Sequence, residues 1–357
     1  MYINNQIYQN DIRKIIDDKF SLLKNKTIFI TGASGLVGSF LIDTLMYMNK
    51  NLDYNTEIVA TFSSEKSLDE RFLSYKNETL FKPIIQDINQ PIEFDEHVDY
   101  IFHAASNTHP ALYANNPVET IKLNIIGTSN ILDFAKKNDK CRTIFLSTLE
   151  VYGEDKTVES FKEDDIGYVN FMISRSCYPE SKRLSETLCQ AYIKEFNLDI
   201  VIARLGYIYG PTIKLSSSKA DVQFLNKALS GENIVLKSSG MQKRSYCYVA
   251  DTVSALLTVL LYGECSKAYN VASLKGNVLL RDYANTLAEI ANVKVEYGEM
   301  GEIELQGGSK VQNSTLSPEK LMTLGWSPKF EFKEGIEHTY KIKKEIYRYN
   351  KKLRREI

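Results

Sequence analysis

Between residues 26 and 204, short β-branched runs alternate with longer stretches of helical periodicity. KTIFIT (26–31) gives way to a helical stretch from 35 to about 48, then to EIVAT (57–61). A helix near 67–75 leads to a strand around 83–86, and VDYIFHAA (98–105) reads as a buried strand. A long helix over about 117–137, the strand TIFLS (143–147), a helix over roughly 178–196 and the strand DIVIAR (199–204) complete the series. Strands joined by helical crossovers lie parallel, and a parallel sheet is covered on both faces. The expected class is therefore α/β, with a doubly wound parallel sheet. After Pro211 the alternation loosens into a smaller α+β region.

Ile7, Ile12, Ile15, Ile16, Phe20 and Leu23 are spaced as one amphipathic helix that covers the sheet before its first strand. The expected organisation is a covering helix (1–25), a nucleotide domain (26–210), a substrate region (211–340) whose boundary can interleave, and a basic C-terminal helix or tail (341–357).

A net charge of −1 supplies no electrostatic reason for a nucleic-acid partner. Lys341, Lys343, Lys344, Arg348, Lys351, Lys352, Arg354 and Arg355 make the C-terminus locally basic, which reads as the solvated face of a terminal helix. The five cysteines form no C-x-x-C pair, which argues against a zinc site or a disulfide framework. No apolar run approaches the ~20 residues that span a bilayer, and the first residues lack the order of a signal peptide. A cytoplasmic location, no membrane partner and no metal are expected.

T-G-A-S-G-L-V-G (31–38) lies at the first strand–helix junction. There Gly32 permits a tight turn, Gly35 lets the backbone approach a pyrophosphate, and Gly38 lets the helix pack close to the sheet. Gly32, Ser34, Gly35, Leu36, Val37 and Gly38 are the expected dinucleotide contacts. No acid ends the second strand to hold a ribose diol. Ser63, Ser64 and Lys66 stand there instead, so both NAD and NADP remain open.

Tyr178 and Lys182 lie four apart at the start of a helix, on one face. An ammonium beneath the ring would favour the phenolate of a group that ordinarily titrates near ~10. S147-T148-L149-E150-V151-Y152-G153 follows the fifth strand, at the carboxyl edge where open α/β sheets bind ligands. Thr148 can share a hydrogen bond with the oxygen that Tyr178 deprotonates, and Glu150 adds a carboxylate.

The order TGASGLVG, HAAS (103–106), Asn124, STLEVYG, YPESK, RLGYIYGP (204–211) and RSYCYVAD (244–251) resembles the extended short-chain dehydrogenases, specifically the NAD-dependent epimerase/dehydratase family. The likeness runs from about 26 to 340. Its motifs look most like UDP-glucuronate decarboxylases and relatives of dTDP-glucose 4,6-dehydratase. The resemblance implies a Rossmann fold and a nucleotide-sugar substrate. It also implies a homodimer paired through the helices near 117–137 and 178–196, where Ile121, Ile125, Ile131, Leu188, Ala191 and Tyr192 offer apolar surface.

It further implies oxidation of a sugar hydroxyl, at C4, to a ketone, followed by decarboxylation, epimerisation or dehydration. Thr148, Tyr178 and Lys182 would be catalytic, with Tyr178 as base and Glu150 as a second acid/base group. Asp87 and Ile88 would contact adenine, and Ala104, Ala105, Ser106 and Ser147 would pass beside the cofactor. Asn124 would hold the active-site backbone, while Ser106, Thr148, Arg175, Tyr207 and Arg244 would meet the substrate. Two departures stand out beside the missing acid: Leu149 replaces a dehydratase aspartate, and Tyr207 replaces an asparagine. A net NADPH-dependent keto-sugar reductase and a non-catalytic dinucleotide scaffold are the alternatives.

Overall fold

The computed structural model describes residues 2–108, 110–299 and 311–353. Six strands, β1 (Thr27–Thr31), β2 (Glu57–Phe62), β3 (Phe81–Ile85), β4 (Tyr100–His103), β5 (Arg142–Thr148) and β6 (Asp199–Leu205), are joined by a later strand, Ala268–Val271. They form one seven-stranded sheet in which β1 lies beside β4 and β6 beside that last strand. Every pairing within it is parallel, for example Ile28 with Ile58 and Phe102 with Ile144. The chain runs outward from β1 to β3 and then returns to β4. This reversal leaves a crevice at the carboxyl ends of β1 and β4, the place where open α/β sheets take ligands.

The N-terminal segment is not one helix. α1 (Gln6–Ile15) ends at Ile16, whose backbone is extended, and a 3₁₀ turn over Asp18–Leu23 follows. Tyr8, Ile12, Ile15, Phe20 and Leu23 are nonetheless all buried, so the segment covers the fold as its pattern requires. α1 docks on α2 (Leu36–Leu52) through a buried carboxylate: Tyr8 Oη donates to Asp43 Oδ2 at 2.6 Å, and Tyr75 and Arg71 bind the same side chain.

After α3 (Glu65–Phe72), α4 (Pro110–Asn115) and the long α5 (Pro117–Lys137) lead toward α6 (Cys177–Phe196). Beyond β6 come β7 (Tyr207–Tyr209), α7 (Ala220–Ser230), β8 (Ile234–Leu236), β9 (Lys243–Tyr248) and α8 (Val249–Tyr262). β9 anchors a small second sheet, parallel to β7 and antiparallel to residues 277–279. The chain then crosses back: α8, buried from Val249 to Leu260, packs under the main sheet, and β10 (Ala268–Val271) pairs with β6. The two regions are interleaved.

β11 (Asn277–Leu279), α9 (Leu280–Ala291), β12 (Val295–Tyr297), β13 (Asn313–Ser314) and α10 (Glu319–Met322) complete the smaller region. α11 (Phe332–Leu353) closes the fold and runs unbroken across residue 341. The basic terminus is not uniformly solvated. Lys343 is buried and donates to Ile213 O at 2.6 Å and Tyr2 Oη at 2.8 Å. Arg354 and Arg355 lie outside the described residues. Among these residues, no helix is long and apolar enough to cross a membrane, and no group of three or more His, Cys, Asp or Glu side chains is placed to hold a metal.

Candidate active site

One cavity of about 800 Å³ runs from the β1–α2 turn, past the end of β5, to α7 and β9. The turn forms its first wall. Gly32 has φ +69°, and a Cβ there would lie 2.7 Å from the carbonyl carbon of Ala104. A Cβ on Gly38 would lie 2.5 Å from Gly32 O. Only glycine permits this close passage of turn, helix and β4. The resulting cradle of neutral N–H groups at a helix start fits the diphosphate of a nicotinamide dinucleotide. Ser34, Gly35, Leu36, Val37, Ser63, Ala104 and Ser106 line the same wall.

β5 supplies the chemical centre. Ser147, Thr148 and Glu150 line the cavity, and Thr148 begins a 3₁₀ turn by accepting from Glu150 N at 3.3 Å. The turn is held from behind by Arg183, which donates to the carbonyls of Val151, Tyr152 and Gly167. α6 brings Tyr178, Lys182 and Arg175, the last from the 3₁₀ turn before it, to the same space. Tyr178 and Lys182 are both buried.

The Tyr178 phenol stands above its ordinary pKa, because burial and then the charge of Glu150 oppose the phenolate. Hydrogen bonds with Thr148 and Tyr113 and the field of Arg175 pull it back. Lys182 Nζ donates to Leu146 O at 2.8 Å and lies 4.7 Å from the centroid of the Phe145 ring. Burial lowers Lys182 to about 8. The shared helix face was legible from spacing; the competing carbonyl on β5 was not.

Tyr113, on α4, escaped the sequence reading. Its ring stacks on Tyr178 with centroids 4.7 Å apart and planes 19° apart, and the Arg175 guanidinium carbon lies 4.7 Å from the Tyr113 centroid. No local pattern marks a tyrosine on a six-residue helix as a stacking partner for Tyr178 on another helix. Arg175 also binds Glu150, so one cation joins the acid to the stacked phenols.

Several expected residues support the cavity without lining it. Asn124 is buried between α5 and α6, accepting from Ser106 Oγ at 2.7 Å and donating to Ser181 Oγ at 2.8 Å. Ala105 N donates to Thr31 Oγ1 at 3.1 Å. Asp87 Oδ1 caps its own turn by accepting from Asn89 N, and Ile88 packs in the core against Gly127. Neither Asp87 nor Ile88 forms part of the cavity wall. At the far end, Arg244 and Tyr207 line the cavity together, the guanidinium carbon 5.3 Å from the Tyr207 centroid. Buried Leu149 lies beside Glu150, where the dehydratase pattern has an acid.

Residues 28–272 match the family described as NAD dependent epimerase/dehydratase. The chain belongs to this family. It is 33% identical over 312 residues to UDP-glucuronic acid decarboxylase 5 of Arabidopsis thaliana, covering 87% of both chains. Among solved structures it superposes on dTDP-glucose 4,6-dehydratase DesIV from Streptomyces venezuelae with a TM-score of 0.76, 21% identity and coverage of 92% and 98%. UDP-glucuronic acid 4-epimerase from Bacillus cereus superposes with a TM-score of 0.75, 22% identity and coverage of 90% and 100%. The chain is thus an enzyme built around a nicotinamide dinucleotide, with a seven-stranded Rossmann sheet.

Proposed function

We propose that the enzyme decarboxylates a nucleotide-linked hexuronic acid by way of a C4 ketone. The observation that carries this reading is the acid inventory of the site. Among the described residues lining the cavity only Glu150 and Asp221 are acidic, and Glu150 is held by Arg175 beside Tyr178. Expelling a hydroxyl as water calls for an acid to protonate it, and Leu149 stands where that acid would be. Loss of carbon dioxide needs no acid at a leaving hydroxyl, because the ketone two bonds away receives the electron pair of the breaking carbon–carbon bond as an enolate. C5 then takes a proton from water to give the 4-keto pentose. The decarboxylases among the relatives support the same choice.

When bound, the nicotinamide would accept and return the C4 hydrogen as hydride. Tyr178 would take the C4 hydroxyl proton, with Thr148 hydrogen-bonded to the same phenol. Arg175 would orient the substrate carboxylate from its place at Glu150. Arg244, a planar fork at the distal end, would receive the diphosphate. NAD is favoured over NADP if the hydride returns, because a recycled cofactor need not exchange. The protein would be cytoplasmic and a homodimer through α5 and α6, where Val118, Ile121, Ile126 and Leu184 are exposed while Ile131 is core.

Incubation with UDP-glucuronate and NAD, followed by mass spectrometry, tests the proposal. The expected product is a UDP-pentose with no net reduced cofactor. An unchanged mass with inverted C4, loss of water, or stoichiometric consumption of NADPH would replace it.

A further inference from the structure

The glycine-rich turn carries no charge of its own. TGASGLVG contains no lysine or arginine, so it offers a bound diphosphate only N–H groups and hydroxyls. A cation arrives from elsewhere in the chain. Lys214, in the segment between β7 and α7, places Nζ 3.3 Å from Ser34 Oγ across the mouth of the cavity, and both residues line it. Lys214 is exposed and has no carboxylate partner among the described residues. We infer that Lys214 is a phosphate-binding residue of the cofactor site, with its ammonium on the dinucleotide diphosphate.

The segment that carries Lys214 is pinned on both sides of it. Thr212 Oγ1 donates to Leu36 O at 2.7 Å, fastening the segment to the first turn of α2. The carbonyl of Ile213 accepts from buried Lys343 at 2.6 Å, and Leu215 O accepts from Asn226 on α7 at 2.8 Å. Farther on, Ser218 Oγ accepts from Ala111 N at 3.0 Å. The backbone of Lys214 is therefore set while its side chain remains free to turn from a hydroxyl to an anion. Exchanging a hydroxyl for an anion is favourable, because the ammonium then gains the attraction of an opposite charge at contact distance.

Three phosphates could meet an ammonium in this cavity: the cofactor diphosphate, an NADP 2′-phosphate and the substrate diphosphate. Ser34 selects the first, because it sits in the turn at the N-terminus of α2 where a diphosphate is received. The 2′-position would lie toward Ser63 at the end of β2, and the substrate diphosphate toward Arg244.

Titration of the full chain with NADH, NADPH, ADP-ribose and UDP, followed by fluorescence or calorimetry, tests the assignment. Lys214→Met is expected to weaken NADH, NADPH and ADP-ribose alike by about tenfold and to leave UDP unchanged. The salt dependence of NADH binding should become shallower, since a screened ion contact has gone. Lys214→Arg should restore most of the affinity. Unchanged dinucleotide binding overturns the inference. So does weakening confined to NADPH, which would place the lysine at a 2′-phosphate, or confined to UDP, which would place it with the substrate.

Discussion

Arg175 holds Glu150 through a single nitrogen, Nη2, at 3.0 Å from one carboxylate oxygen and 2.9 Å from the other. Both residues line the cavity beside Tyr178, so the pair sets the local field at its phenol. Glu150 opposes the Tyr178 phenolate and Arg175 favours it. Removing the acid alone leaves the cation, and the phenol should then ionise more easily. In Glu150→Gln the rising limb of the rate of nicotinamide reduction should move to lower pH, read by single-turnover absorbance. A limb that stays in place, with only a lower melting temperature, would make Glu150 a structural acid.

Tyr113→Phe keeps the ring stacked on Tyr178 but removes the hydroxyl that lowers the Tyr178 pKa. The same limb should move the opposite way, to higher pH, and turnover below it should fall. Stability should change little, because the stacking, of the kind worth ~0.5–1.5 kcal/mol, is retained. A pH profile identical to wild type would show that Tyr113 acts only by packing.

Tyr178→Phe should lower turnover by about 10²–10⁴ while NADH titration remains close to wild type. Near-normal turnover on the true substrate would move the role of base to another group.

Lys343 reports on the closure of the fold. Burial lowers it from its ordinary value to about 7, so over the window between about 7 and the unfolded value near ~10.4 the unfolded chain binds the extra proton. Stability contributed by this lysine therefore rises with pH through that window and is lost as pH falls toward 7. Lys343→Met removes the titration. The wild-type urea midpoint should gain on that of the variant between pH 7 and 9.5. A pH-independent difference would mean that Lys343 keeps its proton in both states.

The alternation of strands and helices, the glycine turn and the Tyr178/Lys182 spacing were all legible in the sequence, because each is a local pattern with a local cause. A β-branched run prefers an extended backbone, Gly32 alone tolerates φ +69° against β4, and positions four apart share a helix face. Sequence therefore determined the α/β class and the carboxyl-edge turn at which the cavity begins.

Tertiary structure decided the rest, because the deciding contacts join residues far apart in the chain. Lys182 donates to Leu146 O on β5, a partner that helix spacing does not reveal. Tyr113 reaches Tyr178 from α4, and Arg175 spans both Glu150 and Tyr113. Lys343 looked like one more solvated charge on a basic helix, yet the fold buries it against Ile213 O. Spacing shows which residues share a face. Only packing shows which carbonyl, ring or carboxylate that face meets, and those partners set the pKa of a phenol and the direction of a cation.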